Sequence, residues 1–193
     1  MLLTGNWSVQ AQVRASRLPA LLRPTPATVT LPASPVWQLM RIERVVDADT
    51  YEVATAGGRA RVRLLGVDAP EANQPFGRQA TALVGALLQG QHVWLQVRGR
   101  DLYGRHLAAV RLRPAAFSPF GTMALDSLLV VRGWAWAYEP SRTIARRLAE
   151  QLQAQRAGRG LWQCGPAGPI EPRVWRSMDA ETKRRNRGGC PRM

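Results

Sequence analysis

Between Trp37 and Leu112 the chain repeats one pattern: a short run of apolar and β-branched residues, then a turn. Strands are expected near Trp37–Val46, Tyr51–Thr55 and Arg59–Leu65, with Ala56-Gly57-Gly58 as the hairpin turn between the last two. Two more, His92–Val97 and Leu107–Leu112, flank a loop that carries Asp101-Leu102-Tyr103-Gly104-Arg105. Helical spacing appears at Ala80, Leu83, Val84, Leu87 and Leu88 and is closed by Gly90. A second helix is expected at about Thr122–Arg132, ending at Gly133, and a third at about Arg142–Ala157, ending at Gly158. Strict β-α alternation would point to a parallel sheet. Five short strands interrupted by single helices fit instead an α+β fold, a five-stranded β-barrel of the OB type with about three helices.

The flanks read differently. Residues 1–35 hold five prolines, several arginines and no acidic residue, a composition with little surface to bury, and are expected to form a flexible leader. The folded domain is expected over 36–163. From 164 to 193 a loosely ordered basic tail is expected, with seven basic against three acidic residues from Glu171 onward. No apolar run approaches the length of a membrane span, and the N-terminus lacks the layout of a secretory signal. Cys164 and Cys190 form no CxxC pair, which argues against structural zinc; one disulfide or two thiols both fit, depending on compartment.

Charge narrows the class of ligand. With 27 Lys+Arg against 13 Asp+Glu, the net charge is +14, and such a field attracts polyanions, nucleic acid foremost. Charge alone does not say what is done to them.

The chemistry lies in Val46-Asp47-Ala48-Asp49-Thr50 and in Arg63-Leu64-Leu65-Gly66-Val67-Asp68-Ala69-Pro70-Glu71. Four carboxylates and an arginine thereby sit at the ends of expected strands, where an antiparallel hairpin can bring both clusters to one end of the barrel. Clustered carboxylates repel unless a cation holds them together. Oxygen ligands favour a hard divalent ion, calcium or magnesium rather than zinc. For either cluster alone, an ordinary polar turn is the better reading. Both together, with an arginine between them in a basic chain, make it the weaker one. Arg105, in the second loop, has the planar fork that suits a phosphate. His92 and His106 sit in expected strands with no partner motif, so a histidine-metal site is not supported.

These stretches resemble the two signatures of the staphylococcal nuclease (thermonuclease) family. One is Asp-Gly-Asp-Thr, an Arg a short strand later, then Asp-x-Pro-Glu; the other is Asp-Lys/Arg-Tyr-Gly-Arg-x-Leu-Ala. Here they appear as DADTYEV with RLLGVDAPE, and as DLYGRHLAAV. Phe76-Gly77, LLVVRGWAWAY and Gly158-Arg159-Gly160-Leu161-Trp162 extend the likeness, which covers about Val36 to Trp162.

The resemblance implies a Ca²⁺-dependent endonuclease that hydrolyses DNA and RNA without strong sequence preference, at the 5′-oxygen side, leaving 3′-phosphate ends. It implies that Asp49, Asp68 and the carbonyl of Ala69 hold the calcium ion, with Asp47 close behind them. Glu71 then holds or deprotonates the attacking water, Arg63 and Arg105 grip the scissile phosphate, and Tyr103 lies near a neighbouring one. A monomer is expected, and a secreted or periplasmic location is favoured by the likeness alone. Three positions depart from the pattern. Ala48 replaces a glycine and would be strained if its turn needs positive φ. Ala69 replaces a frequent threonine, and Leu102 a basic residue. The competing reading is a non-cleaving nucleic-acid-binding module on the same barrel.

Overall fold

A computed structural model describes residues 28–34, 36–113, 121–138, 145–166 and 168–188. β1 (Gln38–Asp47), β2 (Thr50–Thr55) and β3 (Gly58–Leu64) form an antiparallel meander. After β4 (Val67–Asp68) and α1 (Gly77–Leu88), β5 (His92–Arg100) returns beside β1, and β6 (His106–Leu112) pairs with β5. β3 and β6 then pair in parallel, Val62 opposite His106 and Leu64 opposite Ala108. That seam closes a five-stranded mixed barrel.

Alternation along the strands builds the core. Ile42, Tyr51, Val53, Ala60, Val62, Leu64, Val93, Leu95, Ala108 and Val110 are buried inside, as period-two side-chain direction requires. α1 adds Ala80, Val84 and Leu88 from one buried stripe. α2 (Leu125–Val131), preceded by the two-residue β7 (Met123–Ala124), adds Leu125, Leu129 and Val130. β8 (Trp136–Ala137) pairs with β4, so the strand carrying Asp68 is held from outside the barrel. α3 (Ala145–Arg156) and the 3₁₀ turn Gly160–Cys164 pack Ala154, Leu161 and Trp162 against Trp136, whose ring meets Trp162 edge-on at 5.6 Å.

The core strands and helices fall within a few residues of expectation; Arg142–Ile144 of the third helix lie outside the described residues. The flanks differ more. Residues 28–34, assigned to the leader, lie along the barrel: Thr28 bridges Arg59, the Leu31 amide donates to His106 Nε2 at 3.1 Å, and the Ser34 amide donates to the Val97 carbonyl at 3.0 Å. Below Thr28 the leader lies outside the described residues. The tail is not loose over 172–188 either. Pro172 starts α4 (Pro172–Ser177), Asp179 caps α5 (Ala180–Arg185) by accepting from the Thr182 amide, and Trp175 is buried, donating to Asn73 Oδ1 at 2.8 Å. A buried indole with a satisfied N–H anchors a segment that charge counting alone reads as solvated. Cys164 is disulfide-bonded; the other cysteine, Cys190, lies outside the described residues. Among the described residues no helix is long and apolar enough to cross a membrane.

Candidate active site

Four pieces of backbone meet at one end of the barrel. The β1–β2 turn brings Asp47 and Asp49, and the Asp49 amide donates to Asp47 Oδ1 at 3.1 Å. Ala48 in that turn is fully buried and keeps ordinary backbone, since Phe76 is the only described non-glycine residue with positive φ. The feared strain is absent. Tyr51 closes the turn by donating its hydroxyl to the Ala48 carbonyl at 2.7 Å.

Arg63 ends β3 on the outward side, and its side chain is only 12 % exposed. Its Nη2 lies 3.1 Å from Asp49 Oδ2 and 3.0 Å from Asp68 Oδ1, while Nη1 donates to the carbonyls of Leu64 and Val67 at 2.7 and 2.9 Å. The guanidinium is therefore fixed by four acceptors. Asp49 is held in turn by the Ala69 amide at 2.7 Å and by the Thr50 hydroxyl at 3.1 Å.

Arg105 arrives from the β5–β6 loop. Asp101 holds it twice, through the backbone amide at 2.9 Å and through Nε at 2.7 Å, and its Nη1 reaches Thr50 Oγ1 at 3.4 Å. Because Thr50 lies opposite Arg63 in the β2–β3 register, the two arginines flank one residue. Gly104, at φ 78°, supplies the left-handed step the tight loop needs. Tyr103 and Leu102 stand out from the loop tip, 85 % and 102 % exposed.

Glu71 sits in the loop between β4 and α1. A side chain at Gly77 would meet the Glu71 carbonyl at 1.8 Å, so only glycine lets the start of α1 lie directly on this loop. The carboxylate is held from the far end of the chain: Arg176, on α4, donates to Glu71 Oε1 at 2.6 Å and to Asp68 Oδ2 at 3.0 Å. Gln74 strengthens the link, accepting from the Glu71 amide at 3.1 Å and donating to the Ile170 carbonyl. Sequence reasoning did not find Arg176. The available signal was Pro172 and Trp175 beside it, a helix start and a large aromatic in an otherwise polar tail. His92 and His106 stay out of the cluster; His106 is buried in the barrel.

Asp49 and Asp68 are both nearly buried and share one guanidinium nitrogen. Burial pushes the Asp49 carboxyl up to about 8, Arg63 opposing the rise and Asp47 adding to it. Arg63 and Arg176 hold Asp49, Asp68 and Glu71 together here, and the carboxylate oxygens they engage are ones a cation could take instead. Among the described residues no three Asp, Glu, His or Cys side chains form a ready-made cage. A divalent ion here would draw on the carboxylates of Asp49 and Asp68, the carbonyl of Ala69 and water, an all-oxygen set suited to a hard ion.

Residues 61–164 match the family model described as Staphylococcal nuclease homologue. An uncharacterized endonuclease of Escherichia coli O157:H7 is 37% identical over 136 residues, covering 70% of this chain and 83% of that protein. A micrococcal nuclease of Shigella flexneri is 34% identical over 168 residues, covering 83% and 94%, and the protein ParB of Escherichia coli is 34% identical over 163 residues, covering 81% and 91%. The chain belongs to the staphylococcal nuclease family. It is a nuclease that hydrolyses phosphodiester bonds, and the non-cleaving reading gives way. Arg176 lies beyond the stretch that the staphylococcal nuclease model matches, and Asp47 and Asp49 lie before it.

Proposed function

We propose that this protein is a Ca²⁺-dependent endonuclease of low sequence specificity, acting on DNA and RNA at the 5′-oxygen side to leave 3′-phosphate ends. The observation that carries the reading is the fixed pair Arg63 and Arg105 on either side of Thr50, beside the buried carboxylates of Asp49 and Asp68.

Attack of water on a phosphodiester builds negative charge on the phosphoryl oxygens. Arg105, held by Asp101, offers that charge a fixed donor, and Arg63 joins it on turning from Asp49 and Asp68 when an ion takes their carboxylates. Glu71 orients the attacking water and accepts its proton as the new P–O bond forms and the P–O5′ bond breaks, the leaving 5′-oxygen taking a proton from solvent, and Arg176 holds the Glu71 carboxylate in position. Asp49, Asp68 and the Ala69 carbonyl would hold the metal, with Asp47 bracing the turn that carries Asp49. When bound, the ion supplies Lewis-acid stabilisation of the phosphoryl oxygens. The Tyr103 hydroxyl contacts the phosphate next to the scissile one. All these contacts are to phosphate, which explains low sequence preference.

Digestion of plasmid DNA and of RNA with purified protein, in Ca²⁺ and then in excess chelator, tests the reading. Cleavage in Ca²⁺ with 3′-phosphate termini supports it, and undiminished cleavage in chelator overturns the metal assignment.

A further inference from the structure

β3 carries more arginines than the reaction needs. Ala60, Val62 and Leu64 point into the barrel, so Arg59, Arg61 and Arg63 share the outward face. Consecutive members of this file are two residues apart, about 6.6–6.8 Å along a strand. Successive phosphates of an extended nucleic-acid strand repeat at a comparable interval. Arg61 and Arg59 therefore continue, in single file, the line that begins at Arg63.

The floor beneath them is built to hold them outward. Glu52, opposite Arg61 on β2, lies 3.3 Å from Arg61, 3.6 Å from Arg59 and 4.0 Å from Arg44. Its side chain is 14% exposed, against 42–57% for the three arginines. Glu43 adds a contact to Arg59 at 3.9 Å but is taken by Arg41 at 2.6 Å. Two carboxylates thus face four guanidinium groups, and the surface keeps a net positive charge. Tethered arginines lose less freedom when an anion binds than untethered ones.

The face is also a groove. A cavity of about 430 Å³ runs over it, lined by Thr28, Arg44, Glu52, Arg59, Arg61, Tyr103 and Arg105. Arg105 belongs to both the groove and the reaction centre, so the two are continuous. The exposed ring of Tyr103, with the Arg105 guanidinium 5.6 Å from its centre, offers a stacking face that only an unpaired base can use.

We propose that this groove, lined by Arg44, Arg59, Arg61 and Tyr103, binds the phosphates of a single strand of nucleic acid flanking the scissile position. The assignment rests on the nuclease reading of the adjoining site. It goes beyond that reading in naming the strand form held and the residues that hold it.

The test is fluorescence anisotropy with a labelled oligothymidylate of about 12 nucleotides, within the range that single OB-type folds cover, in chelator so that no cleavage intervenes. Arg59→Gln and Arg61→Gln are each expected to reduce the slope of log K against log salt by about 0.7, and the double variant by about twice that. Arg61→Lys, which keeps the charge, is expected to retain the slope, and this separates the electrostatic role from a folding defect. Binding to a duplex of the same length is expected to change less. An unchanged slope in the double variant overturns the proposal, and equal loss on duplex and single strand overturns its single-strand part. In parallel, Ca²⁺-supported cleavage of a dinucleotide-sized phosphodiester by the double variant is expected to match wild type, while KM for long single strands rises. If wild-type protein cleaves neither substrate, the nuclease reading fails instead, whatever the anisotropy shows.

Discussion

Arg176 Nη1 lies 2.6 Å from Glu71 Oε1, across 105 residues of sequence. The same guanidinium reaches Asp68 Oδ2 at 3.0 Å, so one side chain of α4 spans two carboxylates of the reaction loop. In the proposed mechanism, losing this contact frees the Glu71 side chain to turn away from the attacking water. Arg176→Ala is expected to lower kcat roughly ten- to a hundredfold, as misplacement of a reacting group does, with little change in KM. Arg176→Lys should recover part of the loss, because charge is kept while the two-pronged fork is not. Steady-state kinetics of the three proteins decide it. An increase in kcat on removal would mean that α4 obstructs the site.

Arg63 and Arg105 are expected to behave differently when each is shortened to Lys. Both variants should lose about a hundredfold in turnover, the cost of one preorganised donor. Arg63 also satisfies the carbonyls of Leu64 and Val67 inside the structure. Arg63→Lys should therefore also lose stability, roughly 1–3 kcal/mol for groups left unsatisfied. Arg105 is more exposed and bonds chiefly to Asp101. Thermal melts should show a drop for Arg63→Lys and little change for Arg105→Lys.

Asp49→Asn and Glu71→Gln separate metal holding from water activation. Titration calorimetry with Ca²⁺ is expected to show clearly weakened binding for Asp49→Asn and near-normal binding for Glu71→Gln. Both variants should lose activity. Equal effects on Ca²⁺ affinity would show that the two carboxylates share one role.

Acid should release the segment 28–34 from the barrel. His106 Nε2 accepts the Leu31 amide, which only the neutral ring can do. Burial, helped by Arg100, holds the His106 pKa below its ordinary 6.5. The unfolded chain thus takes up the proton first as pH falls. The stability this group contributes is present above 6.5 and is lost as pH falls through the lower folded value. Hydrogen exchange at the Leu31 amide should speed up over that window, and in His106→Gln the dependence should flatten. Deleting residues 1–27 removes none of these contacts, whereas deletion through residue 35 does and should lower the melting temperature.

Strand alternation around Val62 and Val53, and glycines after Leu88, Arg132 and Ala157, made the barrel and its helices legible before any coordinates. Those signals are local: each residue's neighbours in sequence are also its neighbours in the element. The clustering of Asp49, Arg63 and Asp68 was legible for a related reason, because a hairpin and its exit loop keep nearby residues close. Arg176 was not legible. Its partners lie more than a hundred residues away, and the segment that positions it depends on the Trp175 pocket rather than on any periodicity. Composition misled at residues 28–34 too, where backbone donors rather than apolar side chains make the attachment.

The parallel seam between β3 and β6 has a consequence for the nascent chain. It is the pairing of Val62 with His106 that draws the loop bearing Arg105 alongside Arg63. Until β6 has been made and has zipped onto β3, one guanidinium waits without the other. In the proposed mechanism, a copy without that pairing holds half of its phosphate grip.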